Sequence, residues 1–179
     1  QVNYGRKWKG EMPGEPWDSF LHLSRSNPAP FSCWMMISDL GWCVASSSPE
    51  RLVELDKGIV RTRPIKGTRK RGLDSQEDSR LRKELVSTEK EISEHLMLVD
   101  LERHDLSSVC VPGTVHWSGW RIEGLSNVQH LVSGVEGLLD GRFSTSEVTR
   151  TMFPGGSATG CPKTVTLAAI DELEEGPRG

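Results

Sequence analysis

The spacing of apolar positions changes period twice along this chain. Over residues 30–63 it is that of short strands: Phe31–Ile37 reads as extended, Ser38-Asp39-Leu40-Gly41 as a turn, and 42–45 as the return. Ser46-Ser47-Ser48-Pro49 breaks the run before a strand at 51–55, and Asp56-Lys57-Gly58 turns that strand into Ile59–Arg63. The stretch predicts an antiparallel meander. Pro64 closes it, having no N–H to give a ladder. From 74 to 105 the period becomes helical, with Leu81, Leu85, Ile92, Leu96 and Val99 on apolar positions and charges between them. Thr88 with Glu91 fits a capping box, which predicts two helices broken near Ser87-Thr88.

Strand signals resume at 109–111, 114–117 and Val128–Leu138, with Gly113, Gly119 and Gly124 as punctuation. Ser144 with Glu147 opens a short helix by the same capping signature. A glycine-rich loop at 153–160 follows, and Pro162 suits the first position of a last helix running to Glu174. Strands and helices mix without regular alternation, so the fold class is α+β with mostly antiparallel sheet. Trp34, Trp42, Trp117 and Trp120 read as core and sheet packing.

Composition narrows the function classes. The chain has 179 residues, 22 Lys or Arg and 25 Asp or Glu, for a net charge of −3. That length suits about one domain with a sizeable core. A near-neutral balance leaves no basic footprint, so nucleic acid is not an expected partner. No apolar stretch approaches the ~18 residues of a membrane span, so a membrane is not expected either. The four cysteines, Cys33, Cys43, Cys110 and Cys161, lack CxxC spacing, against a disulfide scaffold or structural zinc and in favour of the cytosol. The chain opens on Gln1-Val2-Asn3-Tyr4 in strand phase without Met and stops where a helix gives way to a turn. We therefore expect residues 1–179 to be an internal piece of a longer protein.

Three places could carry chemistry. In the loop Pro154-Gly155-Gly156-Ser157-Ala158-Thr159-Gly160-Cys161-Pro162-Lys163, glycines let backbone N–H groups approach a ligand, ahead of a helix N-terminus. It is not a Walker loop, since Lys163 comes two places too late. A carboxylate cradle and an ordinary tight turn both fit it. Glu91, Glu94 and His95 share one helix, and two carboxylates at i and i+3 repel unless a cation or basic partner answers them. Oxygen donors without thiolates suit Mg²⁺, although a solvated charged face and a helix cap explain them too. Lys66 sits between a strand end and a Gly67-Thr68 turn among Arg61, Arg63, Arg69, Lys70 and Arg71. Neighbouring cations and desolvation can make such a lysine a nucleophile; a solvated basic loop is the bland alternative. Glu50 is a general acid if buried and a turn residue otherwise. His130, on an apolar strand, reads as a satisfied core histidine.

Five segments in register resemble one family, the chorismate-utilising enzymes. They are 46–51 (Ser-Ser-Ser-Pro-Glu-Arg), 63–69 (Arg-Pro-Ile-Lys-Gly-Thr-Arg), 94–101 (Glu-His-Leu-Met-Leu-Val-Asp-Leu), 128–133 (Val-Gln-His-Leu-Val-Ser) and 153–163. Within that family the aminodeoxychorismate synthase branch is the best match, because Lys66 stands where anthranilate and isochorismate synthases typically carry Ala. Gly155-Gly156-Ser157 and the opening Gln1-Val2-Asn3 resemble the same branch.

The resemblance implies a fold of two packed antiparallel sheets flanked by helices, of which this chain is a central fragment. It implies that Lys66 attacks the chorismate ring while Glu50 helps the C4 hydroxyl depart. Glu91 and Glu94 would ligate Mg²⁺, and Asn3, Thr68, His130, Gly155, Gly156, Thr159 and Lys163 would line the substrate pocket. Chorismate and a glutamine amidotransferase supplying ammonia are the implied partners. Anthranilate synthase and a non-catalytic binding relative are the rival readings. His104, where the family commonly has Asn, and Cys161, in place of Ala, depart from the pattern.

Overall fold

The computed structural model describes residues 2–12 and 14–178. Gln1, part of the expected opening strand, lies outside them. Val2 makes only an isolated bridge to Gly160.

The expected meander splits in two. β1 (Phe31–Ile37) and β2 (Trp42–Ser48) pair antiparallel along their whole length as a separate two-stranded sheet. β3 (Arg51–Asp56) does not continue it but pairs with β4 (Ile59–Arg63) in a five-stranded antiparallel sheet. The physical reason is the corner Ser48-Pro49-Glu50, where Pro49 cannot donate to a ladder and the chain changes sheets. A helix the periodicity did not disclose, α1 (Pro16–Ser26), packs on the hairpin through Trp17 and Phe20, whose rings lie 5.5 and 5.8 Å from Trp34. Trp42 is 65 % exposed and Trp117 and Trp120 about 40 %, so of the four tryptophans assigned to packing these three stay exposed and Trp34 alone is partly covered.

The larger sheet is organised around β7 (Val128–Leu138). One flank of β7 is β6 (His116–Gly124), which starts two residues into the expected 114–117 strand and runs further than expected. The other flank is a single line of chain broken at Pro64: β4 pairs with residues 135–138, and β5 (Ile65–Lys70) pairs with 128–132. Between them Ser133 N–H donates to the Pro64 carbonyl at 3.1 Å, so the proline interrupts the donors without breaking the line. Residues 109–111 are not a strand; Cys110 only bridges to Leu139.

The helical stretch breaks where expected, into α2 (Ser75–Ser87) and α3 (Glu89–Ser107). The Thr88–Glu91 capping box does not form. Thr88 Oγ1 donates back to the Glu84 carbonyl at 2.8 Å, and Glu91 is drawn off to Arg69. The box at Ser144 and Glu147 does form and opens α4 (Thr145–Met152). A four-residue helix, α5 (Gly156–Thr159), occupies the glycine-rich loop, and α6 (Lys163–Leu173) starts one residue after Pro162, which is its cap. α3 lies on the sheet, and Val99, Leu106, Val60, Val135, Val109, Val148 and Met152 form the core between them. Two antiparallel sheets flanked by helices is thus the observed architecture.

Candidate active site

The site begins with an irregularity in β5. Ile65 is opposite Val132 and Thr68 opposite His130, so three steps on β5 face two on β7. The extra residue makes a bulge at Lys66-Gly67, and a bulge re-aims the side chains beside it. Gly67 has φ +96, a conformation that suits glycine. The bulge delivers the Lys66 ammonium to 3.5 Å from Glu94 Oε2 on α3. A proton acceptor therefore stands beside the amine.

Glu50 is fixed to the same strand. Its Oε1 accepts from Ile65 N–H at 2.9 Å, and its own N–H donates to Ser48 Oγ at 3.3 Å. One peptide unit separates the backbone group that holds this carboxyl from Lys66. Burial pushes the Glu50 carboxyl above its usual range; the Ile65 N–H, the Ser157 side chain and the Lys66 charge restrain the rise.

His95, adjacent to Glu94, supports the bulge from behind. It is fully buried, with Nδ1 3.1 Å from the Lys66 carbonyl and Nε2 2.6 Å from Ser133 Oγ. The carbonyl accepts only, which assigns the proton to Nδ1 and makes Nε2 the acceptor of the Ser133 hydroxyl. Trp117 Nε1–H donates to that hydroxyl in turn, at 3.0 Å. Burial holds the imidazole below its usual pKa, consistent with a neutral ring. Reading the sequence placed His95 with the two carboxylates of its helix and Trp117 in sheet packing, and gave Ser133 no role of its own. Only the pairing of β6, β7 and α3 brings them to Lys66.

Thr68 and His130 meet across the bulge, with Oγ1 and Nδ1 2.8 Å apart. His130 Nε2 is buried and has no partner, so the satisfied core histidine expected from its strand is only half satisfied. Glu91 is similarly divided: one oxygen pairs with Arg69, and Oε2 is buried without a partner, 3.5 Å from where a Gly67 Cβ would stand. Glu94 is shared by Lys66 and, at 3.9 Å, Lys90. Among the described residues no group of three or more His, Cys, Asp or Glu gathers to hold a metal ion. An orphaned carboxylate oxygen beside a second carboxylate fits two ligands of a hard, oxygen-preferring cation, not a complete set.

The glycine-rich loop closes the other side. Glu50, Leu52, Phe153, Gly155 and Ser157 line a cavity of about 240 Å³. Asn3 ties the loop down by its side-chain amide, which donates to the Ser157 carbonyl at 2.6 Å, and by its N–H to Thr159 O at 2.9 Å. Thr159 is buried and donates to the Gly155 carbonyl at 3.0 Å. Lys163 is not brought to this cavity lining: its ammonium turns inward to Asp105 and to the Thr151 carbonyl. At Gly156 an added Cβ would come 2.2 Å from Leu101 Cδ2. Gly156→Ala is therefore expected to cost about 1–3 kcal/mol by forcing α5 off α3. Denaturant unfolding measures this, and an unchanged midpoint would contradict the close packing.

The model for chorismate binding enzymes matches residues 1–179. The anthranilate synthase component I-like protein of Synechocystis sp. is 46 % identical over 93 % of this chain and 34 % of its own length. Aminodeoxychorismate synthase component 1 of Salmonella typhimurium is 39 % identical over 97 % of this chain and 38 % of its own. The crystal structure of anthranilate synthase component I from Streptococcus pneumoniae superposes with a TM-score of 0.80 at 33 % identity, covering 92 % of this chain and 35 % of that one. The chain thus spans about a third of the length of the relatives it matches. With a match along the whole sequence and the same fold in a solved relative, this chain belongs to the family of chorismate binding enzymes.

Proposed function

We propose that this chain is the part of an aminodeoxychorismate synthase that holds the nucleophile and the acid, acting on chorismate. The observation that carries the reading is the bulge: one irregular stretch of strand sets Lys66 beside Glu94 and, through Ile65 N–H, beside a half-buried Glu50. Lys66, having lost a proton, attacks ring carbon C2. The double bond shifts, the C4–O bond breaks, and Glu50 gives its proton to the departing hydroxyl, which leaves as water. Ammonia then bonds to C4 and expels the Lys66 amine, which regains its lone pair. Loss of one proton from the new ammonium group leaves 4-amino-4-deoxychorismate. Thr68, His130 and the 153–160 loop line the pocket in this reading, and a glutamine amidotransferase supplies the ammonia.

Glu91 and Glu94 would hold Mg²⁺ together with oxygen donors from elsewhere. Bound there, the ion would offset the charge of a substrate carboxylate.

Similarity to relatives favours neither branch of the family, since anthranilate synthase-like and aminodeoxychorismate synthase relatives are similarly close. Lys66 is the feature that favours the second. Incubating the complete protein with chorismate, ammonium and Mg²⁺ tests it. Aminodeoxychorismate without pyruvate is the expected product. Anthranilate with pyruvate would overturn the assignment, and the absence of turnover in a protein that still binds chorismate would favour a binding relative.

A further inference from the structure

Glu102 lies on α3 at 4 % exposure, and nothing above uses it. A carboxylate buried that deeply needs a cation or several donors. The charged neighbours do not supply them. Lys163, from α6, is engaged by Asp105. Glu50, from the corner before β3, adds a second carboxyl, and Thr62, from β4, offers one hydroxyl. Glu102 Oε2 has no partner at all. Its Oε1 lies 3.8 Å from where a Gly156 Cβ would stand, so the glycine-rich loop backs onto it. Glu102 also lines the cavity of about 240 Å³ that Glu50 lines, together with Arg51, Phe153 and Ser157. Burial pushes the Glu102 carboxyl up to about 7, with Thr62 and Lys163 opposing the rise and Asp105 and Glu50 adding to it.

We propose that Glu102 is a second acid of this site, a proton store that resupplies Glu50 across the shared cavity. The step rests on the reading of Glu50 as the acid for the leaving hydroxyl. Once Glu50 has given up its proton, the O–H bond of Glu102 breaks and the proton passes over water in the shared cavity to the Glu50 carboxylate. Glu102 is left as a carboxylate and takes a proton back from solvent. The proton shed by the new ammonium group returns to solvent, so the turnover is proton-neutral. An unpartnered Oε2 is what such a donor requires. A purely structural carboxyl would have its hydrogen bonds filled.

The test compares Glu102→Gln and Glu102→Ala with the parent in the complete protein. For Glu102→Gln, kcat at pH 7 should fall about tenfold with KM for chorismate unchanged. The loss should shrink as pH falls, because solvent then supplies protons to Glu50 more readily. Formate should restore kcat to Glu102→Ala, whose smaller side chain leaves room for it, and not to Glu102→Gln. Independently of turnover, the infrared spectrum should hold a protonated-carboxyl band that titrates with a midpoint near 7 and is missing from Glu102→Gln. No such band at pH 6 overturns the store. The expected band with a kcat that ignores formate overturns the relay alone. Full turnover by Glu50→Gln overturns the acid reading beneath it, and the band tells that failure apart.

Discussion

Replacing Lys66 with alanine is expected to cut aminodeoxychorismate formation from chorismate and ammonium by at least about 10³-fold, since groups that act as one covalent unit fail together. The substitution leaves the scaffold in place, which makes the result interpretable. The hydrogen bonds that hold residues 65 and 66 use their backbone groups: Ile65 N–H to Glu50 and the Lys66 carbonyl to His95. The side chain itself is 27 % exposed and in no core cluster, so stability should change by less than about 1 kcal/mol. Chorismate affinity should survive. Lys66→Arg should lose as much, because a guanidinium stays protonated and cannot attack. Single-turnover mass spectrometry should find a lysine adduct in the parent and none in either variant. A kcat within tenfold of the parent would end the covalent reading.

For Glu50→Gln the expected loss in kcat is about 10²–10⁴-fold, the usual worth of a positioned general acid. The amide oxygen can still accept from Ile65 N–H, so geometry is kept and the transferable proton is lost. The sign of the pH dependence follows from the state the reaction needs. A leaving hydroxyl must be met by the protonated carboxyl, and burial raises the pKa of Glu50. The parent should therefore hold its activity at pH values where an exposed glutamate is already ionised, then lose it as pH rises through the raised value. In Glu50→Gln that alkaline limb should be missing from the profile of kcat/KM. Should the limb persist in the variant, another group sets it and Glu50 is a positioning residue.

The sequence by itself determined the local structure and the residues of the proposed chemistry. Proline and glycine punctuation, alternating apolar positions and one capping box are local signals, set by φ restriction and by backbone donors that need acceptors nearby. They located the break at Thr88, the Ser144–Glu147 cap and the run of β7. The family motifs likewise named Lys66, Glu50, Glu91, Glu94 and His130 without geometry. What they could not carry was pairing. Whether β2 continues into β3, or leaves for another sheet, depends on contacts far along the chain, and a period of two looks the same in either case. The bulge at Lys66-Gly67 exists only relative to its partner strand, so no window around residue 66 reveals it. Burial of a charged residue is equally non-local: Glu102 sits in a charged helical run that reads as a solvated face. Only the packing of α3 against β4 and the glycine-rich loop removes it from water. Tertiary structure decided which carboxyls are desolvated, and with that which of them, Glu50 and Glu102, hold a proton above the ordinary carboxylate range.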